Sequence, residues 1–359
     1  MQSQPAILIF AQSARFIAEV ATHAGYPVWV ADCFGDEDTL AIAARFHALA
    51  PLAELTTAQV LEALLTLSQH QPCLLVCGTG IERFYPLLSQ LPPQIQVVGN
   101  SATTLQQLRD HTLFFPLLDA LSLPYPALQQ HASDQSLKKN LYSAGGTGIN
   151  TAHTATGDFY QQYIAGQAAS VCFIANGQQA VILGINAQYN DVVSYRLNCI
   201  QSPLSISEQQ HDLLQHAINV LTQNTRLLGL NSLDFIIAED GQIYLLEVNP
   251  RFSASLELLP NQQQLFDWHM QACAGILPPP PPSQRQYAQL HYLFSDTRVT
   301  INHHAVWPDS CHDRPVAGST IPAGAPICTI ISRADHPALC QQHYETCVKQ
   351  LKNTLIISA

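Results

Sequence analysis

The stretch NSLDFIIAEDGQIYLLEVNPR, residues 231–251, consists of two apolar runs separated by Asp240-Gly241. An Asp-Gly pair tolerates the positive φ angles of a two-residue turn, so the stretch predicts a β-hairpin. If these two residues form the turn, counting outward along both strands places Asp234 directly opposite Glu247. The predicted hairpin therefore sets two carboxylates against each other within apolar strands.

Facing carboxylates destabilise a strand pair by up to about 1 kcal/mol, and by more when they are buried. Side chains alternate between the two faces of a strand, so Glu247 and Asn249 are expected to share a face with Ile243 and Leu245. Carboxylate and amide oxygens are ligands that Mg²⁺ prefers in proteins. The pattern therefore favours a divalent metal site, and a protonated acid pair or a register shifted by one residue are the alternatives.

The same residues resemble the metal-binding hairpin of the ATP-grasp superfamily, which includes biotin carboxylase and D-alanine–D-alanine ligase. The matching pattern is Asp234 followed by Glu247-Val-Asn249-Pro-Arg251. The resemblance implies that Asp234, Glu247 and Asn249 hold Mg²⁺, or Mn²⁺ in its place, beside the phosphates of ATP. It also implies that Arg251 faces the acyl phosphate or the carboxylate substrate. The likeness is strongest to a group of predicted ATP-dependent carboligases related to biotin carboxylase.

A glycine-rich segment upstream of the hairpin adds to the resemblance. The stretch SLKKNLYSAGGTGIN, residues 136–150, places Lys139 before a loop of small residues. Glycines allow backbone N–H groups to converge on phosphate oxygens, and a lysine adds a positive charge. The resemblance assigns phosphate contacts to Lys139 and to the loop residues Ser143, Ala144, Gly145 and Gly146. By itself, a loop of this kind is also typical of a plain hairpin.

A third segment, YQQYIAGQAAS at residues 160–170, corresponds to the stretch that binds the adenine edge in the superfamily. The resemblance assigns this contact to Gln161, Gln162 and Ile164. A glutamine side chain offers an acceptor to the adenine amino group. An ordinary strand end is the alternative for each of these side chains.

Two other basic residues bear on how the phosphates of ATP would be bound. Arg196 resembles a basic residue that approaches the reacting phosphoryl group in relatives, with a surface arginine as the alternative. Asp110-His111 stands where the superfamily often has Asp-Lys. The ATP contact of that lysine therefore has no counterpart here unless His111 is protonated.

The composition excludes several classes of protein. The 359 residues include 15 basic and 26 acidic side chains, for a formal net charge of −11. Such an acidic chain is a poor candidate for binding nucleic acid. The apolar runs are shorter than a membrane span, and the N-terminus has no basic region typical of a signal peptide, so we expect no membrane partner and a cytoplasmic location. The ten cysteines contain no CxxC pair and are expected to be reduced thiols.

The order of predicted elements indicates three parts. Alternating strands and helices predict a parallel-sheet domain at residues 1–100, which resembles the pre-ATP-grasp domain. The resemblance implies a two-lobed ATP-grasp domain at residues 101–277, with a lid lobe at about 131–165. A small β-rich tail at residues 283–359 follows the polyproline connector Pro278–Pro282. The fold class is therefore α/β combined with α+β.

Ligands of parallel sheets bind beyond the carboxyl ends of the strands. Arg15 and Glu82 lie at such ends in the predicted N-terminal sheet. Both are therefore candidates for substrate contacts, with helix capping and turn formation as the alternatives.

The resemblance implies an ATP-dependent ligase. Such an enzyme activates a carboxylate as an acyl phosphate and transfers it to an amine or a similar nucleophile, as in coenzyme-biosynthetic amide ligases. Its partners are small-molecule substrates, and a homodimer is compatible with the sequence. Two alternatives are a non-catalytic nucleotide-binding module, which His111 favours, and a bicarbonate-dependent carboxylase, which the likeness to biotin carboxylase favours.

Overall fold

The structure is a computed structural model that describes residues 4–131, 133, 136–140, 149–151, 159–191, 193–282, 284–354 and 356–357. Residues 149–151, 353–354 and 356–357 are described by their backbone only. The predicted phosphate-binding loop at residues 143–148 lies outside these ranges. Within them, no helix combines the length and the apolar character that crossing a bilayer requires.

A parallel sheet with helices on both faces forms the N-terminal part of the chain, as the strand–helix alternation predicts. Its elements are β1 (Ala6–Ala11), α1 (Arg15–His23), β2 (Val28–Asp32), α2 (Glu37–Ile42), β3 (Arg45–Ala48), α3 (Thr57–Ser68), β4 (Cys73–Cys77), α4 (Ile81–Phe84) and β5 (Ile95–Val97). The strand order is β3-β2-β1-β4-β5, and every pair is parallel. β1 and β2 are buried along their whole length, because helices cover both faces of these apolar runs.

Two consecutive helices and a small antiparallel sheet follow. They are α5 (Ala102–Arg109), α6 (His111–Ala120), β6 (Leu128–Gln129), β7 (Ser136–Lys139), β8 (Ile149–Thr151) and β9 (Phe159–Gln162). The strand order of this lid sheet is β6-β9-β7-β8. Asp110 separates the two helices, since its carboxylate accepts a hydrogen bond of 2.9 Å from the N–H of Thr112 and caps α6.

A large antiparallel sheet contains most strands of the remaining chain. Its first elements are β10 (Gly166–Asn176), β11 (Ala180–Asn190), β12 (Leu197–Ser202), α7 (Glu208–Thr225), β13 (Leu228–Ala238), β14 (Ile243–Asn249) and α8 (Gln262–Cys273). The C-terminal elements are β15 (Tyr287–Phe294), β16 (Val299–Ile301), β17 (Cys311–His312), β18 (Thr320–Ile321), β19 (Pro326–Ala334), α9 (Pro337–Thr354) and β20 (Ile356–Ile357). The order of the large sheet is β14-β13-β10-β11-β12-β15-β19-β17, so strands from beyond the prolines extend the same sheet. A separate small sheet has the order β18-β16-β20.

The large sheet carries an apolar core on each of its faces. On one face Val171 and Phe173 of β10 pack with Leu221 of α7. On the other face Ile174 of β10 belongs to a core that also contains residues of α8 and α1, including Phe266. Each fully buried side chain of this size contributes about 1.5–3 kcal/mol. The second core therefore joins the N-terminal sheet to the large sheet. Beyond the carboxyl end of β4, Glu82 contacts Arg251 at the end of the β13–β14 hairpin.

Candidate active site

The register of the β13–β14 hairpin confirms that Asp234 lies directly opposite Glu247. The turn differs from the prediction by one residue, because Ile237 pairs with Ile243 instead of its predicted partner. A β-bulge at Leu246 adds one residue to β14 and restores the predicted pairing at the two acids. The prediction is therefore correct at the carboxylates and wrong at the turn.

The same bulge changes which side chains share a face. Ile243, Leu245 and Val248 all pack into one apolar core, so the alternation shifts by one residue after Leu245. Glu247 and Asn249 consequently leave that core. The expectation that they share a face with Ile243 and Leu245 is wrong, because strand alternation holds only where no residue is inserted.

The two acids lie in a partly buried polar site. The side-chain amides of Asn249 and Gln188 each donate a hydrogen bond of 3.1 Å to the Asp234 carboxylate. Burial, followed by the negative charge of Glu247, raises the pKa of Asp234 to about 7, although Arg251 and the two amides oppose the shift. The site thus contains two facing carboxylates whose negative charges repel each other.

Arg251 extends from the end of β14 to the N-terminal sheet. Its Nε donates to Glu82 Oε1 at 2.7 Å, its Nη2 to Asn249 Oδ1 at 2.9 Å and its Nη1 to the carbonyl of Phe252 at 3.0 Å. The other oxygen of Glu82 accepts from the N–H of Gly80. Burial raises the pKa of Glu82, but the charge of Arg251 and the hydrogen bonds outweigh burial and keep this pKa below its ordinary value. Glu82 is therefore an ionised group that holds Arg251 in place.

The lid sheet brings Lys139 to the acid pair. Burial lowers the pKa of Lys139, and the charges of Glu247 and Asp234 oppose that shift. Lys138 points elsewhere: it is buried, its Nζ lies 6.0 Å from the centre of the Tyr160 ring, and this Nζ has no hydrogen-bond partner among the described residues. Of the two neighbouring lysines, the predicted one is therefore the one near the carboxylates.

The predicted adenine-binding segment lies at the end of β9. Gln161 is buried, and its side-chain amide donates a hydrogen bond of 3.1 Å to the carbonyl of Pro126. Gln162 is exposed and Ile164 is half-buried. The predicted loop partners Ser143, Ala144, Gly145 and Gly146 lie outside the described residues.

Arg109 is a site residue that the sequence reasoning missed. It ends α5, and its Nη1 lies 3.4 Å from Glu247 Oε2. His111, two residues later, instead stacks on the Phe159 ring with the ring centres 4.8 Å apart. The sequence contained a signal, since Arg109 is the nearest basic residue to the position where the superfamily often has lysine.

Arg196 lies against the C-terminal strands. Its guanidinium carbon is 3.5 Å from the centre of the Phe294 ring, and its Nη1 donates to the carbonyl of Gly324 at 3.0 Å. Its charge also lowers the pKa of Asp191, after hydrogen bonds from residues of the same turn. These contacts, which are the ones that the structure describes for Arg196, do not place it with the acid pair.

Arg15 is at the centre of a buried ion cluster. It is 1% exposed, and its guanidinium lies 2.9 Å from Glu19, 2.6 Å from Glu257 and 2.9 Å from Asp313. Ser13 also donates to Asp313 at 3.0 Å, so the cluster joins the N-terminal sheet to distant parts of the chain. The candidacy of Arg15 for substrate contact is corrected accordingly, because its side chain is enclosed by three carboxylates.

The geometry agrees with a comparison against known families. Residues 98–255 match the family model described as an ATP-grasp domain. This segment contains the lid sheet, the acid pair and Arg251. The chain contains an ATP-grasp domain. The predicted resemblance to the ATP-grasp family is thereby confirmed for residues 98–255.

Solved structures share the fold of this chain over nearly its whole length. A biotin carboxylase complex from Campylobacter jejuni has a TM-score of 0.76 and 12% identity, covering 99% of this chain and 92% of that chain. The biotin carboxylase domain of a 2-oxoglutarate carboxylase from Hydrogenobacter thermophilus, solved with ADP, MgADP and bicarbonate, has a TM-score of 0.76 and 14% identity, covering 100% and 91%. An N5-carboxyaminoimidazole synthetase from Staphylococcus aureus, solved with ADP, has a TM-score of 0.71 and 16% identity, covering 96% and 97%. At these identities the likeness shows the fold, and the predicted fold class is confirmed.

Proposed function

We propose that this chain is an ATP-dependent ligase that activates a carboxylate as an acyl phosphate and transfers it to an amine or a similar nucleophile. The observation that carries the proposal is the facing pair Asp234 and Glu247, linked through Asn249 to Arg251. The proposed metal ligands would then lie beside a guanidinium that suits a substrate carboxylate. The ATP-grasp family match adds support for nucleotide binding.

A divalent cation, Mg²⁺ or Mn²⁺, would be held by Asp234, Glu247 and Asn249. Two carboxylates and an amide oxygen suit a hard cation of this kind. Burial and the charge of Glu247 raise the pKa of Asp234 and so disfavour its ionised form. A bound cation would favour the ionised form, which supports a metal site at these residues. The described residues include no cluster of three or more His, Cys, Asp or Glu side chains that could hold a metal. When bound, the cation would neutralise charge on the transferred phosphoryl group.

The protein side chains would bind and orient the reactants. Lys139 and the loop at residues 143–146 would bind the phosphates, and the Gln161–Ile164 segment would bind adenine. Arg251 has five N–H groups; three of them donate to Glu82, Asn249 and Phe252, which leaves two for a substrate carboxylate. Arg196 contacts Phe294 and Gly324, so we propose no catalytic role for it.

The reaction would proceed in two displacements. A carboxylate oxygen of the substrate attacks the γ-phosphorus of ATP, and ADP leaves. The nucleophile then attacks the acyl carbon, and inorganic phosphate leaves. Both steps depend on positioning and on charge stabilisation more than on an acid–base residue.

A carboxylase is the second candidate, because two of the structures described above are biotin carboxylases or domains of that type. In that case bicarbonate would be the carboxylate that is activated. The same two displacements apply, with the carboxyl group passing to the nucleophile.

The test is a screen for ATP-dependent phosphate release. Purified protein with ATP and Mg²⁺ is incubated with carboxylic acids, each with and without a panel of amines, and with bicarbonate in parallel. We expect phosphate release that requires both Mg²⁺ and one class of acid. A stabilising shift of melting temperature with MgATP, together with no turnover on any acid, would support the non-catalytic alternative.

A further inference from the structure

A buried amide outside the acid pair holds together the two ends of the β13–β14 hairpin. Asn100 lies between β5 and α5 and is 6% exposed. Its Nδ2 donates to the carbonyl of Pro250, directly after β14, at 2.9 Å, and its Oδ1 accepts from the N–H of Leu228, at the start of β13, at 2.8 Å. We infer that Asn100 is a positioning residue, which holds the proposed metal ligand Asn249 in place through the backbone of Pro250. This inference rests on the divalent-cation site of the proposed function.

Asn100 acts where the strand pairing of the hairpin ends. The last pair joins Ser232 to Asn249, whereas β13 begins earlier, at Leu228. The Asn100 amide accepts from the N–H of Leu228 at 2.8 Å and donates to the carbonyl of the same residue at 3.1 Å. A neighbouring strand would make the same two bonds, since a hydrogen-bonded residue pair of an antiparallel ladder exchanges both. The side chain of Asn100 therefore continues the ladder beyond the last residue of β14.

A second buried amide fixes the orientation of Asn100. Asn100 Nδ2 also donates to Asn231 Oδ1 at 2.8 Å, and Asn231 is completely buried. Asn231 Nδ2 in turn donates to the carbonyl of Gly229 at 2.7 Å. The hydrogens of Asn100 Nδ2 are thus shared among acceptors on Leu228, Asn231 and Pro250. Because buried polar groups that lose their partners are costly, this network holds the Asn100 amide in one orientation.

The backbone at Pro250 decides where the Asn249 side chain lies. Asn249 Nδ2 donates to Asp234 at 3.1 Å, and Asn249 Oδ1 accepts from Arg251 Nη2 at 2.9 Å. The N–H of Arg251 also donates to the Asn249 carbonyl at 2.9 Å, so the chain makes a tight turn around the proline. The proline ring fixes φ, and the hydrogen bond from Asn100 restricts the orientation of the proline carbonyl. Asn100 therefore keeps Asn249 Oδ1, the atom that would bind the cation, in place beside Asp234.

The segment that carries Asn100 is itself anchored to β13, so it can serve as a support. His269 of α8 accepts at Nδ1 from the N–H of Leu230 at 3.1 Å, and its Nε2 lies 3.1 Å from the carbonyl of Val98. Burial lowers the pKa of His269 to about 4, so the ring is neutral at neutral pH. A neutral imidazole has one acceptor and one donor nitrogen, which matches these two partners. The chain before Asn100 and the start of β13 are therefore joined by a second side chain.

The experiment measures how strongly metal binding and nucleotide binding are coupled. The affinity of ADP that carries a fluorescent N-methylanthraniloyl group is measured with Mn²⁺ and with EDTA, and the ratio of the two affinities reports the coupling. Groups that support metal ligands typically contribute about 10–100-fold to metal affinity. We therefore expect Asn100→Ala to lower the ratio at least about tenfold, while the affinity in EDTA changes less than about threefold, because only the metal site is displaced. Asn100→Ser keeps one donor and should lie between wild type and Asn100→Ala.

Thr104→Val is the matched control. Thr104 is also buried, and its Oγ1 donates from α5 to the carbonyl of Thr225 at 2.8 Å. Its loss therefore perturbs the helix that follows Asn100 without removing a hydrogen bond to the end of the hairpin. Both variants should lower the melting temperature, and only Asn100→Ala should lower the ratio of affinities. An unchanged ratio in Asn100→Ala, or an equal loss in Thr104→Val, would overturn the inference.

The role of Asn100 can be refuted separately from the proposed function. If Asn100→Ala fails to fold, Asn100→Ser decides by the same ratio of affinities. Wild type whose ADP affinity does not respond to Mn²⁺ would refute the divalent-cation site, and with it both the proposed function and this inference. A wild type that responds to Mn²⁺, together with an unaffected variant, refutes only the role of Asn100.

Discussion

Glu247→Gln is the substitution that tests the metal site most directly, because it removes one of two facing carboxylates and keeps the shape of the side chain. In the metal-free protein the facing charges cost up to about 1 kcal/mol. Loss of the partly exposed ion pair with Arg109 costs up to about 1 kcal/mol in the opposite direction. The free energy of unfolding should therefore stay within about 1 kcal/mol of wild type.

Metal binding should respond far more strongly to Glu247→Gln. Substitutions of groups that only support metal ligands weaken affinity about 10–100-fold, so loss of a ligand should cost at least about tenfold. The assay is calorimetric titration with Mn²⁺ in the presence of ADP, together with urea denaturation of the metal-free protein. Glu239→Gln is the control, because Glu239 is an exposed carboxylate on the same hairpin. Wild-type Mn²⁺ affinity in Glu247→Gln, or a metal-free variant that is destabilised by several kcal/mol, would refute the metal assignment.

Other variants test the surroundings of the site. Asp234→Asn should stabilise the metal-free protein by about 1–3 kcal/mol at pH 8 and by much less at pH 5, measured by urea denaturation. The stabilisation follows from the pKa of Asp234, which is raised to about 7 in the folded protein. The folded wild type therefore loses stability as pH rises from the pKa of the unfolded chain towards about 7. An equal effect of Asp234→Asn at both pH values would contradict this. Glu82→Gln should lower kcat at least about tenfold with a smaller change in the KM for ATP, because Arg251 loses its ion pair with the Glu82 carboxylate. An unaltered kcat would show that this ion pair is not needed to position Arg251. Gly166→Ala should cost at least about 2 kcal/mol more than Gly324→Ala in urea denaturation. The added Cβ at Gly166 would collide with the backbone of β13, whereas at Gly324 nothing lies within 4 Å and both glycines have positive φ; equal costs would be inconsistent with that collision.

The residues near the hairpin turn show what local sequence can predict. Asp240-Gly241 between two apolar runs predicts the hairpin and the pairing of Asp234 with Glu247. The observed turn differs by one residue, and the bulge at Leu246 restores the predicted pairing at the two acids. Local sequence also predicts a phosphate contact for Lys139 from the glycines that follow it, and the structure shows Lys139 close enough to Glu247 and Asp234 for their charges to act on its pKa. The spacing of Ser207 and Gln210 also predicts a capping box at the start of α7, and the structure contains it.

The sequence by itself determined the fold class and the hairpin that carries the two carboxylates, since both depend on residue types at short, regular spacing. The tertiary structure alone decided what surrounds them. The bulge at Leu246 changes the faces of β14, and the contacts of Glu82 with Arg251 and of Arg109 with Glu247 join residues 169 and 138 positions apart. Such contacts arise when separately formed elements pack, so their partners depend on the shapes and positions of whole sheets and helices, which no local pattern encodes.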